Sequence, residues 1–99
     1  MLPVTVEAKR VAREEVSEGR NVMMLFPTGV WANEALKVKR DLDGVHMRFS
    51  NRHSGLKSLP IDTLILVAAS DGDWDEEGLA YAKERLRSSK EPKTVRIER

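Results

Sequence analysis

Asn21-Val-Met-Met-Leu-Phe-Pro-Thr-Gly-Val-Trp-Ala-Asn33 is the stretch that decides the fold. The run from Asn21 to Phe26 is apolar at every position after Asn21, with Gly19 before it and Pro27-Thr28-Gly29 after it, which predicts a strand covered on both faces, then a turn, then a helix. Such a strand needs packed layers above and below it, and the flanking sequence supplies them. Upstream, Ala8, Val11, Ala12 and Val16 recur at helical spacing, with Lys9, Arg10, Arg13, Glu14 and Glu15 placed elsewhere, up to Gly19. Downstream, Trp31 to Asp41 sets Trp31, Ala35, Leu36 and Val38 among charges and stops at Asp43-Gly44, a helix followed by a turn.

The remainder repeats the pattern. Val45-His-Met-Arg-Phe49 alternates apolar and polar side chains, as a strand with one less buried face does, and Ser50 to Pro60 reads as a polar loop. Thr63-Leu-Ile-Leu-Val-Ala-Ala69 is the most apolar run and predicts a central strand. Asp71 to Glu77 leads into a helix that buries Leu79, Ala82 and Leu86 and ends near Ser88-Ser89, and Thr94-Val-Arg-Ile-Glu98 alternates as an edge strand. The expectation is an α/β fold: a small, mostly parallel sheet of about four strands with helices on both faces, in chain order α-β-α-β-β-α-β. With 99 residues and 40% apolar content, residues 1–99 are expected to form one α/β domain.

Composition narrows the function. A net charge of +1, from 17 basic and 16 acidic residues, gives no global field to draw the chain onto nucleic acid or an anionic membrane. The absence of cysteine removes disulfides, thiolate nucleophiles and cysteine metal sites, and is compatible with a reducing cytosol. No run approaches the ~20 apolar residues that span a bilayer, and the first ten residues lack the apolar centre of a secretory signal. The expectation is a soluble protein of the cytoplasm, without a membrane partner.

Four groups of residues are candidates for chemistry. Asp71, Asp73, Asp75, Glu76 and Glu77 gather at the carboxyl end of the central strand, where open α/β sheets place their sites and where a divalent cation could be held. The same residues suit a helix start, since Asp73 and Glu76 have capping-box spacing and first-turn acids complement the helix dipole. An EF-hand is excluded because, counted from Asp71, Glu76 falls where that loop needs glycine and Ala82 where it needs glutamate. Arg48, Arg52, His53 and Lys57 form a basic loop that could contact phosphates or carboxylates, although no aromatic residues interleave for base stacking. His46 and His53 have no second ligand at metal spacing, and neither Ser54 nor Ser70 sits in a nucleophile elbow. Trp31 and Trp74 fall at loop-to-helix junctions, where they either fill the core or form a surface for a protein partner.

Asn21 to Gly29, preceded by a helix, resembles the segment leading into the Walker A loop of superfamily-two helicases and phage terminase motor subunits, P-loop ATPases in which an apolar strand meets Pro-Thr-Gly and then Ser-Gly-Lys-Thr. Phe49-Ser-Asn51, Gly55-Leu-Lys-Ser-Leu59 and Ile61-Asp-Thr-Leu-Ile-Leu-Val67 are similar to the terminase stretch that runs into the Walker B strand. The resemblance covers most of residues 5 to 87 and implies a spatial strand order of 2-3-1-4 rather than a flavodoxin-like one. It departs from the family where the chemistry lies. Pro27, Thr28 and Gly29 are in place, but Val30, Trp31, Ala32 and Asn33 stand where Ser, Gly, Lys and Thr belong. Alanine offers phosphate no charge and tryptophan is too bulky for a loop that wraps it closely, so nucleotide hydrolysis is not expected. The Walker B acids are displaced too, since Val67-Ala-Ala-Ser70 precedes Asp71.

The expected function is that of a small non-catalytic binding or regulatory protein, phage-encoded and acting in a bacterial or phage-infected cell, with no cofactor. Its partner is another protein or its own copies. Two alternatives come from other classes: a nucleic-acid-binding accessory protein using the loop from Arg48 to Lys57, whose binding weakens steeply with salt, and a divalent-metal-dependent nuclease or phosphatase using Asp71, Asp73 and Asp75.

Overall fold

A computed structural model describes residues 2–56 and 59–99. The first helix, α1, spans Pro3–Ser17, and strand β1 spans Val22–Phe26. A short 3₁₀ turn at Gly29–Trp31 opens α2, Ala32–Asp41, and β2 follows at Val45–Phe49. A second 3₁₀ turn, His53–Leu56, precedes β3 at Thr63–Val67. Helix α3, Glu76–Glu84, tightens into a 3₁₀ turn at Arg85–Ser88 before β4 at Lys93–Ile97. No helix among the described residues is long and apolar enough to cross a membrane.

The four strands form one all-parallel sheet in the order β2-β1-β3-β4. This corrects the order 2-3-1-4 that the resemblance implied and is the flavodoxin-like arrangement over four strands. The physical reason lies in chain connectivity: strands consecutive in the chain pair directly, β1 with β2 and β3 with β4, which the order 2-3-1-4 would forbid. Every residue of β1 and β3 is buried, as strands with a neighbour on each side require, whereas β2 keeps four of its five residues only partly buried and takes an edge.

The period of two along each strand divides the core between the faces. Val22, Met24, Phe26, Ile65 and Val67 pack against Val4, Ala8 and Ala12 of α1 and Ala35 and Val38 of α2. On the opposite face Met23, Leu25, Leu64 and Leu66 meet Leu56, Ile61, and Ala82 and Leu86 of the α3 segment. The expected helix seams hold for Ala8, Ala12, Ala82 and Leu86. They differ at Leu36, which is 54% exposed because Ala35 and Val38 already carry the seam of α2, and at Leu56, fully buried inside the expected polar loop.

The expected outer position of Glu15 is also corrected. It lies on the buried seam with Val4, Ala8 and Ala12, 3% exposed. Its carboxylate accepts from the Thr63 hydroxyl (2.8 Å) and from Lys93 Nζ (3.2 Å), with Arg20 Nε at 3.4 Å. A buried carboxylate needs such partners. Thr63 and Lys93 begin β3 and β4, so the network fastens α1 to the amino ends of the strands.

Candidate functional site

The chain leaves β1 towards β2 on one side of the sheet and returns to β3 on the other, so the loops after β1 and β3 diverge and leave a crevice at the carboxyl ends of the strands. A cleft of about 310 Å³ lies there, bordered by Val30 and Trp31 after β1, Asp71 and Asp73 after β3, Arg99 after β4, and Leu2 and Glu34. The loop after β1 and two of the acidic residues after β3, Asp71 and Asp73, thus border one cleft.

Trp31 forms the wall of this crevice. It is buried, with its ring 6.0 Å from that of Phe26, which in turn stands 5.9 Å from Phe49. The Arg99 guanidinium lies 5.3 Å over the Trp31 ring and donates to Asp71 Oδ2 at 3.1 Å. Trp31 is therefore core rather than an exposed partner surface. Trp74 is half-buried against the opposite core, its indole N–H donating to the Ala68 carbonyl at 3.2 Å.

In the loop after β1, three successive backbone donors are paired within the loop itself. The Val30 N–H donates to the Thr28 hydroxyl (3.4 Å), the Trp31 N–H to the Thr28 carbonyl (3.2 Å), and the Ala32 N–H to the Gly29 carbonyl. Phosphate loops work by leaving such N–H groups convergent and unpaired. The surrounding charge opposes polyphosphate as well: Glu34, Asp71 and Asp73 face the cleft against the single guanidinium of Arg99. The Glu34 carboxyl is held below its ordinary value, chiefly by its hydrogen bond with Lys37, so it carries its charge near neutrality. Asn33 is exposed on the first turn of α2.

The carboxylates proposed as metal ligands do not converge. Asp71 is bonded to Arg99, Asp73 is exposed, and Asp75 faces away into its own helix. Among the described residues no group of three histidine or acidic side chains is arranged to hold a metal ion. The helix cap is Asp75 rather than Asp73: its Oδ1 accepts from the Gly78 N–H at 3.0 Å and from His53 Nε2 at 3.0 Å. Those bonds, Gly78 first and His53 second, hold its carboxyl below the ordinary range.

Ser50 was not visible in the sequence as anything but the start of a loop. In the structure it is fully buried, its N–H donating to the Phe26 carbonyl (3.0 Å), its hydroxyl donating to the Pro27 carbonyl and accepting from the Asp75 N–H (3.0 Å). Ser50, His53 and Asp75 have the composition of a catalytic triad without its geometry, because the hydroxyl is committed to a backbone carbonyl and has no exposed face. The group is a clamp joining the ends of β1 and β2 to α3.

The basic loop is dispersed. Arg48 donates to the Gly55 carbonyl through Nε (3.0 Å) and to the Met47 carbonyl through Nη1 (2.8 Å), and His53 is paired with Asp75. Arg52 remains exposed, its guanidinium 5.3 Å over the Phe49 ring and against Gly29, where a Cβ would come within 2.9 Å of Nη2. Lys57 lies outside the described residues. No family model, curated protein or solved structure matches the chain.

Proposed function

We propose that this chain is a small non-catalytic binding protein whose strand-end crevice is walled by Trp31 and carboxylates rather than by open backbone donors, and whose work is done by contacts with another protein. The observation that carries the reading is Trp31, buried against Phe26 and covered by Arg99, in the loop where a nucleotide-binding protein would leave open backbone donors. The absence of a lysine at Ala32 and the carboxylates around the cleft support it from charge. A cysteine-free chain of near-zero net charge suits the cytoplasm of a bacterial or phage-infected cell.

A nucleic-acid-binding role has one observation in its favour, the exposed Arg52, which no carboxylate pairs among the described residues. A thermal-shift titration decides between these readings. With ATP or GTP and magnesium the melting temperature is expected to stay unchanged; a rise that saturates with nucleotide would remove the proposal, because ligands that bind only the folded state stabilise it. A rise with short single- or double-stranded DNA that vanishes at moderate salt would favour the nucleic-acid role instead.

A further inference from the structure

We propose that the groove between α2 and the edge strand β2 docks a short segment of another protein in which apolar side chains are flanked on both ends by carboxylates. This rests on the reading of the chain as a binding protein and specifies the chemistry of its partner. The groove encloses about 240 Å³ between Ala32, Ala35 and Leu36 of α2 and Met47 and Phe49 of β2, with Lys39 as the charged member of its lining. Leu36 is 54% exposed here, beside two strand side chains that are only partly covered. An apolar patch of this kind is unusual on a helix whose other outward positions are mostly polar.

Charge selects the occupant. Lys39 lines the groove beside Leu36, and Arg52, outside the lining, lies over the ring of Phe49 that forms part of its wall. Neither cation has a carboxylate partner among the described residues, although Lys9, Lys37, Lys93 and Arg99 each have one. The rim is therefore positive and the floor apolar. A second copy docked by the same face about a two-fold axis would bring these cations against one another.

The edge also dictates how the segment is held. The Ser50 N–H points at β1, so by alternation Met47 and Phe49 turn their backbone groups outward. Their carbonyls already accept from Arg48 Nη1 and from the Arg52 N–H, which blunts β2 as a template for a fifth strand. Side chains in the groove and carboxylates on its two cations hold the segment. From Ala32 to Lys39 the helix advances about 10 Å, the reach of roughly three extended residues.

The test is a titration of ¹⁵N-labelled protein with the blocked peptide Asp-Glu-Leu-Ala-Leu-Glu-Asp, with Lys-Lys-Leu-Ala-Leu-Lys-Lys as its counterpart. The acidic peptide is expected to shift the amides of Ala32, Ala35, Leu36, Met47 and Phe49 saturably. Reversing both cations, Lys39→Glu with Arg52→Glu, is expected to weaken it roughly tenfold or more and to transfer preference to the basic peptide. Lys39→Glu alone, at an exposed position without an ion pair, gives half of that reversal should the double variant fold poorly. Shifts elsewhere, equal response to both peptides, or none at millimolar peptide would overturn the proposal, as would groove shifts that grow with the free protein's own concentration. ATP with magnesium is added last: shifts confined to Thr28–Ala32 would sink the reading of the crevice as unfit for nucleotide, a failure distinct from that of the groove.

Discussion

Glu15 shows how one residue governs a whole edge of the molecule. Burial raises its pKa, but the hydrogen bonds from Thr63 and Lys93, with the charges of Lys93 and Arg20, together outweigh that and hold it below the ordinary value. A lowered folded pKa means stability that is complete above the ordinary carboxylate range and is lost as pH falls through it. Urea denaturation between neutral and acid pH is expected to show this loss in the wild type and to show less of it in Glu15→Gln; parallel curves would mean that the carboxylate is not linked to folding. Glu15→Ala, which leaves Thr63 and Arg20 short of a partner, is expected to cost on the order of 3 kcal/mol. Gly78 is the second such residue. A Cβ there would stand 1.7 Å from the Ser50 carbonyl oxygen, so Gly78→Ala, normally helpful in a helix, is expected to destabilise by about 2–3 kcal/mol by chemical denaturation. Neither role is legible locally, because a glutamate in a helix and a glycine near its start look alike whether exposed or pressed against another element.

At the scale of elements, α3 depends on a cap that binds two things at once. Asp75 receives the Gly78 N–H of its own helix and the His53 imidazole from the loop after β2. Asp75→Ala is expected to lower the melting temperature and Asp75→Asn to recover most of the loss, since the amide oxygen still accepts the Gly78 N–H. If alanine and asparagine behaved alike, the side-chain oxygen would not be the operative feature. The sequence announced a capped helix with its acids in the first turn but placed the cap two residues early, because Asp73 and Asp75 offer the same chemistry and only the contact with His53 and Ser50 distinguishes them. The two edge strands differ in the same way. β4 exposes Lys93, Thr94 and Arg96 and is guarded by charge, whereas β2 is guarded by Arg48 on its own carbonyl and leaves an apolar groove beside it.

At the scale of the molecule, the parallel sheet sets a gradient of stability from its centre outwards. Amide hydrogen exchange is expected to be slowest in β1 and β3, faster in β2 and β4, with no such difference if the edges were covered in solution. Trp31→Ala removes a core side chain and is expected to cost about 3–5 kcal/mol, yet to leave nucleotide unbound in a thermal-shift assay, because Ala32 still supplies no charge. The sequence by itself determined the α/β class, the four strands and three helices in their order, and the absence of a lysine from the loop after β1. These follow from local periodicity and from which atoms a residue carries. Tertiary structure alone decided the strand order, the burial of Glu15, Ser50 and Leu56, the separation of Asp71, Asp75, Arg48 and His53 onto different partners, and the meeting of Leu36 with Met47 and Phe49. Each of those joins residues distant along the chain, and pairing of that kind is fixed by which faces can be buried together, a property of the packed whole.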